Sequence, residues 1–190
     1  MTIASSRVEI GHHHHAATTP TGVLREEHEV ILRALTVLER IGQQMAKGTT
    51  VKPETLQGLT NFFKNFADRC HHAKEEQHLF PALERHGVPK EGGPLGVMLY
   101  EHEEGRALVR TFAEGDPKTA PQAIRRYVTL LREHIAKENE ILFPLSETVL
   151  PSQEQHELFH AFETAEQELG KDLHDRLVAE LSQLESEVTG

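Results

Sequence analysis

One segment occurs twice in this chain, as R-C-H-H-A-K-E-E-Q-H-L-F-P from Arg69 and as R-E-H-I-A-K-E-N-E-I-L-F-P from Arg132. Aligned, the copies share Arg69/Arg132, His71/His134, Ala73/Ala136, Lys74/Lys137, Glu75/Glu138, Leu79/Leu142, Phe80/Phe143 and Pro81/Pro144. A fainter echo precedes each copy, Glu27-His28-Glu29 and Glu101-His102-Glu103. The chain therefore reads as one helical hairpin used twice. Each hairpin offers a histidine on its first helix and H-x-x-x-E on its second.

The apolar residues around these segments recur at helical spacing. Val23, Leu24, Ile31, Leu32, Leu35, Leu38, Ile41 and Met45 form the first stripe, closed by Gly48. A second helix opens near Pro53 and carries Leu56, Leu59, Phe63, Phe66 and Cys70 before ending at His86-Gly87. The third runs from Pro94 to the turn at Gly115, and the fourth from about Ala120 to Glu147. Ser152 to Gln155 reads as a capping box for a fifth helix reaching Leu169, and Leu173, Leu177, Leu181 and Leu184 mark a last amphipathic piece. No stretch alternates in the manner of a strand. The expectation is an all-α chain: an antiparallel up-down four-helix bundle over residues 20–150 with a C-terminal helical extension over 151–190. That extension packs on the bundle or on a second subunit, so a homodimer is one expected arrangement. Residues 1–19, which include the run His12 to His15, are small, polar and aperiodic and read as a disordered tail.

Residues four apart on a helix lie on the same face, so His71 with Glu75 and His134 with Glu138 grip one object from one side. On the fourth helix, Ile124, Tyr127, Val128, Leu131, His134, Glu138, Ile141, Leu142 and Leu145 form one inward stripe, so Glu138 takes a place that ought to be apolar. His28 and His102 lie likewise among apolar neighbours, whereas His71 and Glu75 flank their stripe. A buried unpaired carboxylate costs several kcal/mol. Lys74 and Lys137 do not relieve it, since each adjoins its glutamate about 100° round the helix. Four imidazoles and two carboxylates suit two metal ions with the carboxylates bridging. Without thiolate the donor set points to iron, with manganese or zinc as alternatives.

Composition narrows the partners. A net charge of −10 argues against a nucleic-acid backbone, which needs clustered Lys and Arg. A lone cysteine, Cys70, excludes an internal disulfide framework and reads as a small core residue. No run of about 18 apolar residues exists to span a membrane, and no apolar signal core opens the chain, so a cytoplasmic location is expected.

The order H…H-x-x-x-E…H…H-x-x-x-E, with its L-F-P endings on four helices, resembles the hemerythrin-like (HHE cation-binding) proteins over about residues 22–147. The resemblance implies a non-haem di-iron centre with His28, His71, Glu75, His102, His134 and Glu138 at matching positions. Its two iron ions would be joined by carboxylate and oxo or hydroxo bridges. The oxygen-carrying hemerythrins place a second histidine four residues after the one on the third helix, where this chain has Arg106. That departure tells against simple reversible oxygen carriage. In some relatives the residue after the His71 position is a ligand, so His72 is expected to complete one metal and make the two unequal.

The function expected from these residues is binding or sensing of a small diatomic ligand, oxygen or nitric oxide. The alternative is a di-iron enzyme acting on peroxide, nitric oxide or ferrous iron. His156 and His160 match the zinc-protease pattern H-E-x-x-H, but Phe159 and Phe162 indicate a helix packed by that side. His78, His86 and His174 read as peripheral, and Tyr127 as a core residue able to offer a phenolic hydrogen bond.

Overall fold

The computed structural model describes residues 17–170 and 172–189; the run His12 to His15 and most of the expected tail lie outside them. Six helices account for the described residues, among which there is no strand. Helix α1 spans Pro20–Ala46, with Thr19 accepting the Gly22 N–H as its N-cap and Pro20 at a position that needs no donor. Helix α2 runs through Pro53–Phe62, Phe63–His72, Glu75–Leu79 and Phe80–Arg85. Helix α3 is Pro94–Ala113, and α4 runs through Ala120–Lys137, Glu138–Leu142 and Phe143–Val149. Helices α5, Ser152–Leu169, and α6, Leu173–Thr189, complete the chain. The capping box expected at Ser152 is not formed. Pro151 is the cap residue, Ser152 is already helical, and Gln155 Nε2 donates to Leu150 O instead.

The second and fourth helices are not uniformly α. Phe63–His72, Glu75–Leu79 and Glu138–Leu142 are wound as π-helix, and the N–H groups of Phe80 and Phe143 reach back to Glu75 O and Glu138 O. Each short π segment sits just ahead of a proline, Pro81 or Pro144. A proline removes one donor and its ring clashes with the carbonyl four residues back, which the wider turn relieves. The wider turn also changes the helical phase. His71 and Glu75 therefore face inward, not along the flank that a 3.6-residue period assigned them. By the same change Ile141, expected inside, is exposed, while Phe143 and Ser146 are buried.

Helix α1 packs against α2 and α4, and α3 against α2 and α4; α5 and α6 lie on α1 and α2. At Gly42 the approach of α1 to α4 is so close that a Cβ there would sit 2.6 Å from Ile124 Cγ2. The apolar interior forms two clusters. One holds Ile31, Leu35, Phe63, Phe66, Phe112 and Leu131; the other holds Leu24, Leu79, Phe80, Met98, Leu142 and Phe143. Along each of the first four helices the polar residues of the repeat fall between the two, as His28 does between Leu24 and Ile31. The extension belongs to both clusters, with Leu158 and Phe162 in the second and Leu177 and Leu181 in the first. These side chains are buried within their own chain.

Candidate metal centre

His28, His71, His72, Glu75, His102, His134 and Glu138 are all buried and lie in one polar layer. Glu138 directs Oε2 to His28 Nε2 and Oε1 to His134 Nε2, each at 3.2 Å. Glu75 does the same between His71 Nε2 at 3.6 Å and His102 Nε2 at 3.5 Å. Each carboxylate thus spans two helical hairpins. The ligating atoms fall into two groups compact enough to hold a metal ion: His28, His71, Glu75 and Glu138, and His72, Glu75, His102 and His134. The phenylalanines of the two L-F-P motifs cover the layer, Phe143 stacked on the His28 ring and Phe80 on His102.

Four of the five imidazoles are oriented from behind. His28 Nδ1 meets Asn139 Oδ1 at 3.0 Å, and His71 Nδ1 meets Glu27 Oε2 at 2.9 Å. His102 Nδ1 meets Glu76 Oε1 at 2.7 Å, and His134 Nδ1 meets Glu101 Oε2 at 2.9 Å. An acceptor behind Nδ1 favours the tautomer with its proton there, which would leave Nε2 free for a metal. The repeat governs these partners too. Glu27 and Glu101 come from the E-H-E echo and serve their own hairpin; Glu76 and Asn139, aligned in the repeat, serve the other. Sequence reasoning missed all four. The E-H-E echo was the available signal for Glu27 and Glu101, whereas Glu76 and Asn139 share only an acceptor oxygen.

The repeated lysines also find partners. Lys74 Nζ bonds to Glu27 and to Glu166, and Lys137 Nζ to Glu101. Glu27, Cys70 and Glu166 make a third set of potential ligands, but Lys74 already supplies the positive charge there. Arg106 donates to Asp68 Oδ1 at 2.8 Å, to Glu76 Oε1 at 2.7 Å and to Glu103 Oε1 at 2.7 Å. It therefore anchors the acceptor behind His102.

The electrostatics of the layer are those of opposed charges held in a buried place. Burial raises the Glu75 carboxyl well above the carboxylate range, and the charge of Glu138 adds to this. Burial works the same way on Glu138, but His134 and His28 outweigh it and hold that carboxyl low. His134 is raised to about 9, since Glu138 and Glu101 overcome its burial. His71 is lowered to about 4 by burial and by His28 beside it, and His72 is lowered by burial and by His102.

The fit of a metal can be tested on unmet hydrogen-bonding capacity. His28 Nε2, both ring nitrogens of His72, and both oxygens of Glu75 and of Glu138 are buried with no hydrogen-bond partner. Buried polar atoms left in this way cost about 1–3 kcal/mol each. Seven such atoms converging on one layer, all of types that ligate iron, fit metal binding there. His72 Nδ1 lies 3.6 Å from Asp68 Oδ1, beyond hydrogen-bond distance, and its ring stacks on His102.

The remaining singled-out residues lie elsewhere. Tyr127 packs edge-on against Phe63 and Phe112. His156 and His160 are exposed, their Nε2 atoms 3.1 Å apart, and His160 Nδ1 bonds to Glu163. His86 pairs with Glu154, His78 lies against Phe162, and His174 against Phe66. Cys70 is a buried free thiol, pushed up to about 12 by burial and by Glu27.

A helical bundle enclosing a buried layer of histidines and carboxylates defines a class of non-haem metal-binding proteins. The family model for the hemerythrin HHE cation binding domain matches residues 19–146, and the chain belongs to that family. Among curated proteins it is similar to the iron-sulfur cluster repair protein YtfE of Salmonella schwarzengrund, Salmonella paratyphi B and Salmonella newport. Each is 31% identical over 130 residues, a match covering 61% of this chain and 56% of the relative. The match thus spans little more than half the length of those relatives. No solved structure matches the chain significantly.

Proposed function

We propose that the polar layer is a di-iron centre that binds or senses a small diatomic ligand, oxygen or nitric oxide. The observation that carries this reading is the convergence of seven unpartnered buried donor atoms on two adjoining ligand groups. In this reading His28 and His71 would hold one iron and His72, His102 and His134 the other, with Glu75 and Glu138 as the carboxylates shared between them. Manganese or zinc would satisfy the same donors less specifically. Iron bound there in the reduced state would supply an open coordination position and an electron to a small ligand. The protein's part is to hold each Nε2 inward through its Nδ1 partner and to exclude water with Phe80 and Phe143. With two histidines on one side and three on the other, the residues His28 and His71 would leave more room for an incoming ligand than His72, His102 and His134.

The first four helices form an antiparallel up-down bundle over residues 20–150 in this reading, with 151–190 as an extension sharing its core. The neighbour relations of α1 to α4 and their short connections support this arrangement. No helix of the described residues is long and apolar enough to cross a membrane. A cytoplasmic location, homodimerisation and the absence of a nucleic-acid partner are parts of the same proposal.

A second reading is a di-iron enzyme acting on peroxide, nitric oxide or ferrous iron. The relatives named for iron-sulfur cluster repair favour it, since such a role makes iron itself a substrate. Anaerobic iron loading followed by metal analysis tests both readings together. About two irons per chain are expected, and Glu138→Ala, which keeps His12 to His15, provides the blank. Equal uptake by the two proteins would overturn the centre. Titrating the reduced protein with nitric oxide then separates the readings, a stable adduct meaning binding and sustained consumption meaning turnover.

A further inference from the structure

Lys74 is where the C-terminal extension meets the metal layer. Its side chain is 1% exposed, inside a protein where lysine is rarely buried at all. The ammonium bonds to Glu27 Oε1 of α1 and to Glu166 Oε1 of α5, and Glu27 Oε2 receives the Nδ1–H of His71 at 2.9 Å. Glu166, Lys74, Glu27 and His71 thus form one unbroken run from the protein surface to a ligand of the proposed centre.

The second copy of the repeat supplies an internal control. Lys137 bonds to Glu101, and Glu101 receives the Nδ1–H of His134, as in the first copy. Yet the Lys137 side chain is 36% exposed, and among the described residues no second carboxylate pairs with it. Among the described residues the first copy adds Glu166, on a helix beyond the stretch matched to the family, and a weaker contact from Cys70 Sγ to Glu27 Oε1 at 3.9 Å.

Sharing an ammonium between two carboxylates weakens its hold on each. With Glu166 in place, Glu27 keeps more negative charge on the oxygen facing His71, so the Nδ1–H bond is stronger and the imidazole more basic. Without Glu166, Lys74 has Glu27 alone, and the first half comes to resemble the second. We propose that Glu166 is a positioning residue for His71, acting through Lys74 and Glu27, and that it makes the two halves of the centre chemically unequal. This rests on the reading of His71 as a metal ligand.

The experiment compares the full chain with Glu166→Gln, which keeps the size of the side chain and removes its charge. The Nδ1–H resonances of His71 and His134 are read by NMR after labelling the histidines with nitrogen-15, in the metal-free protein. The His71 signal moves upfield in Glu166→Gln while that of His134 stays. Glu166→Asp, which restores the charge, returns most of the shift. Glu185→Gln, which breaks the Arg33–Glu185 pair between α6 and α1, moves neither signal. Movement of both signals together, or of neither, overturns the proposal. Mössbauer spectra of the iron-loaded proteins give the second readout, in which one of two quadrupole doublets changes. A chain that takes up no iron refutes the di-iron reading, while the His71 resonance still decides the role of Glu166.

Discussion

His72 lies stacked on His102, with 3.9 Å between ring centroids and 16° between planes, and neither of its ring nitrogens has a hydrogen-bond partner. The other four histidines of the layer each have an acceptor behind Nδ1. His72 is thus costly to the metal-free fold and useful once a metal is bound. Replacing it by Leu should leave the metal-free protein as stable or more so, by about 1 kcal/mol, since two unmet polar atoms disappear. Iron content should fall toward one per chain. Urea unfolding and metal analysis measure the two effects, and full iron content would show that His72 is not a ligand.

The metal-free protein should be most stable near pH 6.5. His71 is lowered to about 4 when folded and titrates near 6.5 when unfolded, so the unfolded chain takes up the proton first as pH falls. Stability therefore declines from pH 6.5 toward 4. His134, raised to about 9, contributes stability that is fully present below 6.5 and is lost as pH rises through 9. Urea midpoints of the metal-free chain at pH 5, 6.5 and 9 test this, and a flat profile would contradict it.

Gly42→Ala should destabilise the protein. A methyl group would meet Ile124 Cγ2 at 2.6 Å, and Ile124 is buried and branched, with little room to yield. Overpacking of this kind costs about 1–3 kcal/mol, more than the ~1 kcal/mol that alanine gains over glycine in a helix. A lowered Tm at unchanged iron content is the expected result.

Cys70 should resist alkylation. Its thiol is buried and pushed up to about 12, so almost no thiolate exists at pH 8. Iodoacetamide should label the native protein very slowly and the urea-unfolded protein fully, as mass spectrometry would show. Rapid native labelling would mean that the packing of α2 against α1 opens readily.

The helices were legible because their apolar residues keep one period for many turns and because proline and glycine mark their ends. Helix starts at Pro20, Pro53 and Pro94 and stops near Gly48, Gly87 and Gly115 agree with that reading. His28, His71, Glu75, His102, His134 and Glu138 were legible for a different reason: the repeat made their coincidence unlikely to be accidental. The misplacement of His71, Glu75 and Ile141 came from assuming a constant 3.6-residue period across segments that are wound more widely.

By itself the sequence determined a helical chain, a hairpin used twice, and four polar residues, His28, His102, His134 and Glu138, set where apolar ones belong. These follow from spacing, which acts within a single helix through neighbours three and four residues apart. The tertiary structure decided the rest. It placed His72 in the layer, gave Asn139 to His28 and Glu76 to His102, and joined Lys74 to Glu166 of the extension. Such contacts form between helices at about 3 Å, so they depend on how the helices are rotated and phased against one another, which no local spacing encodes.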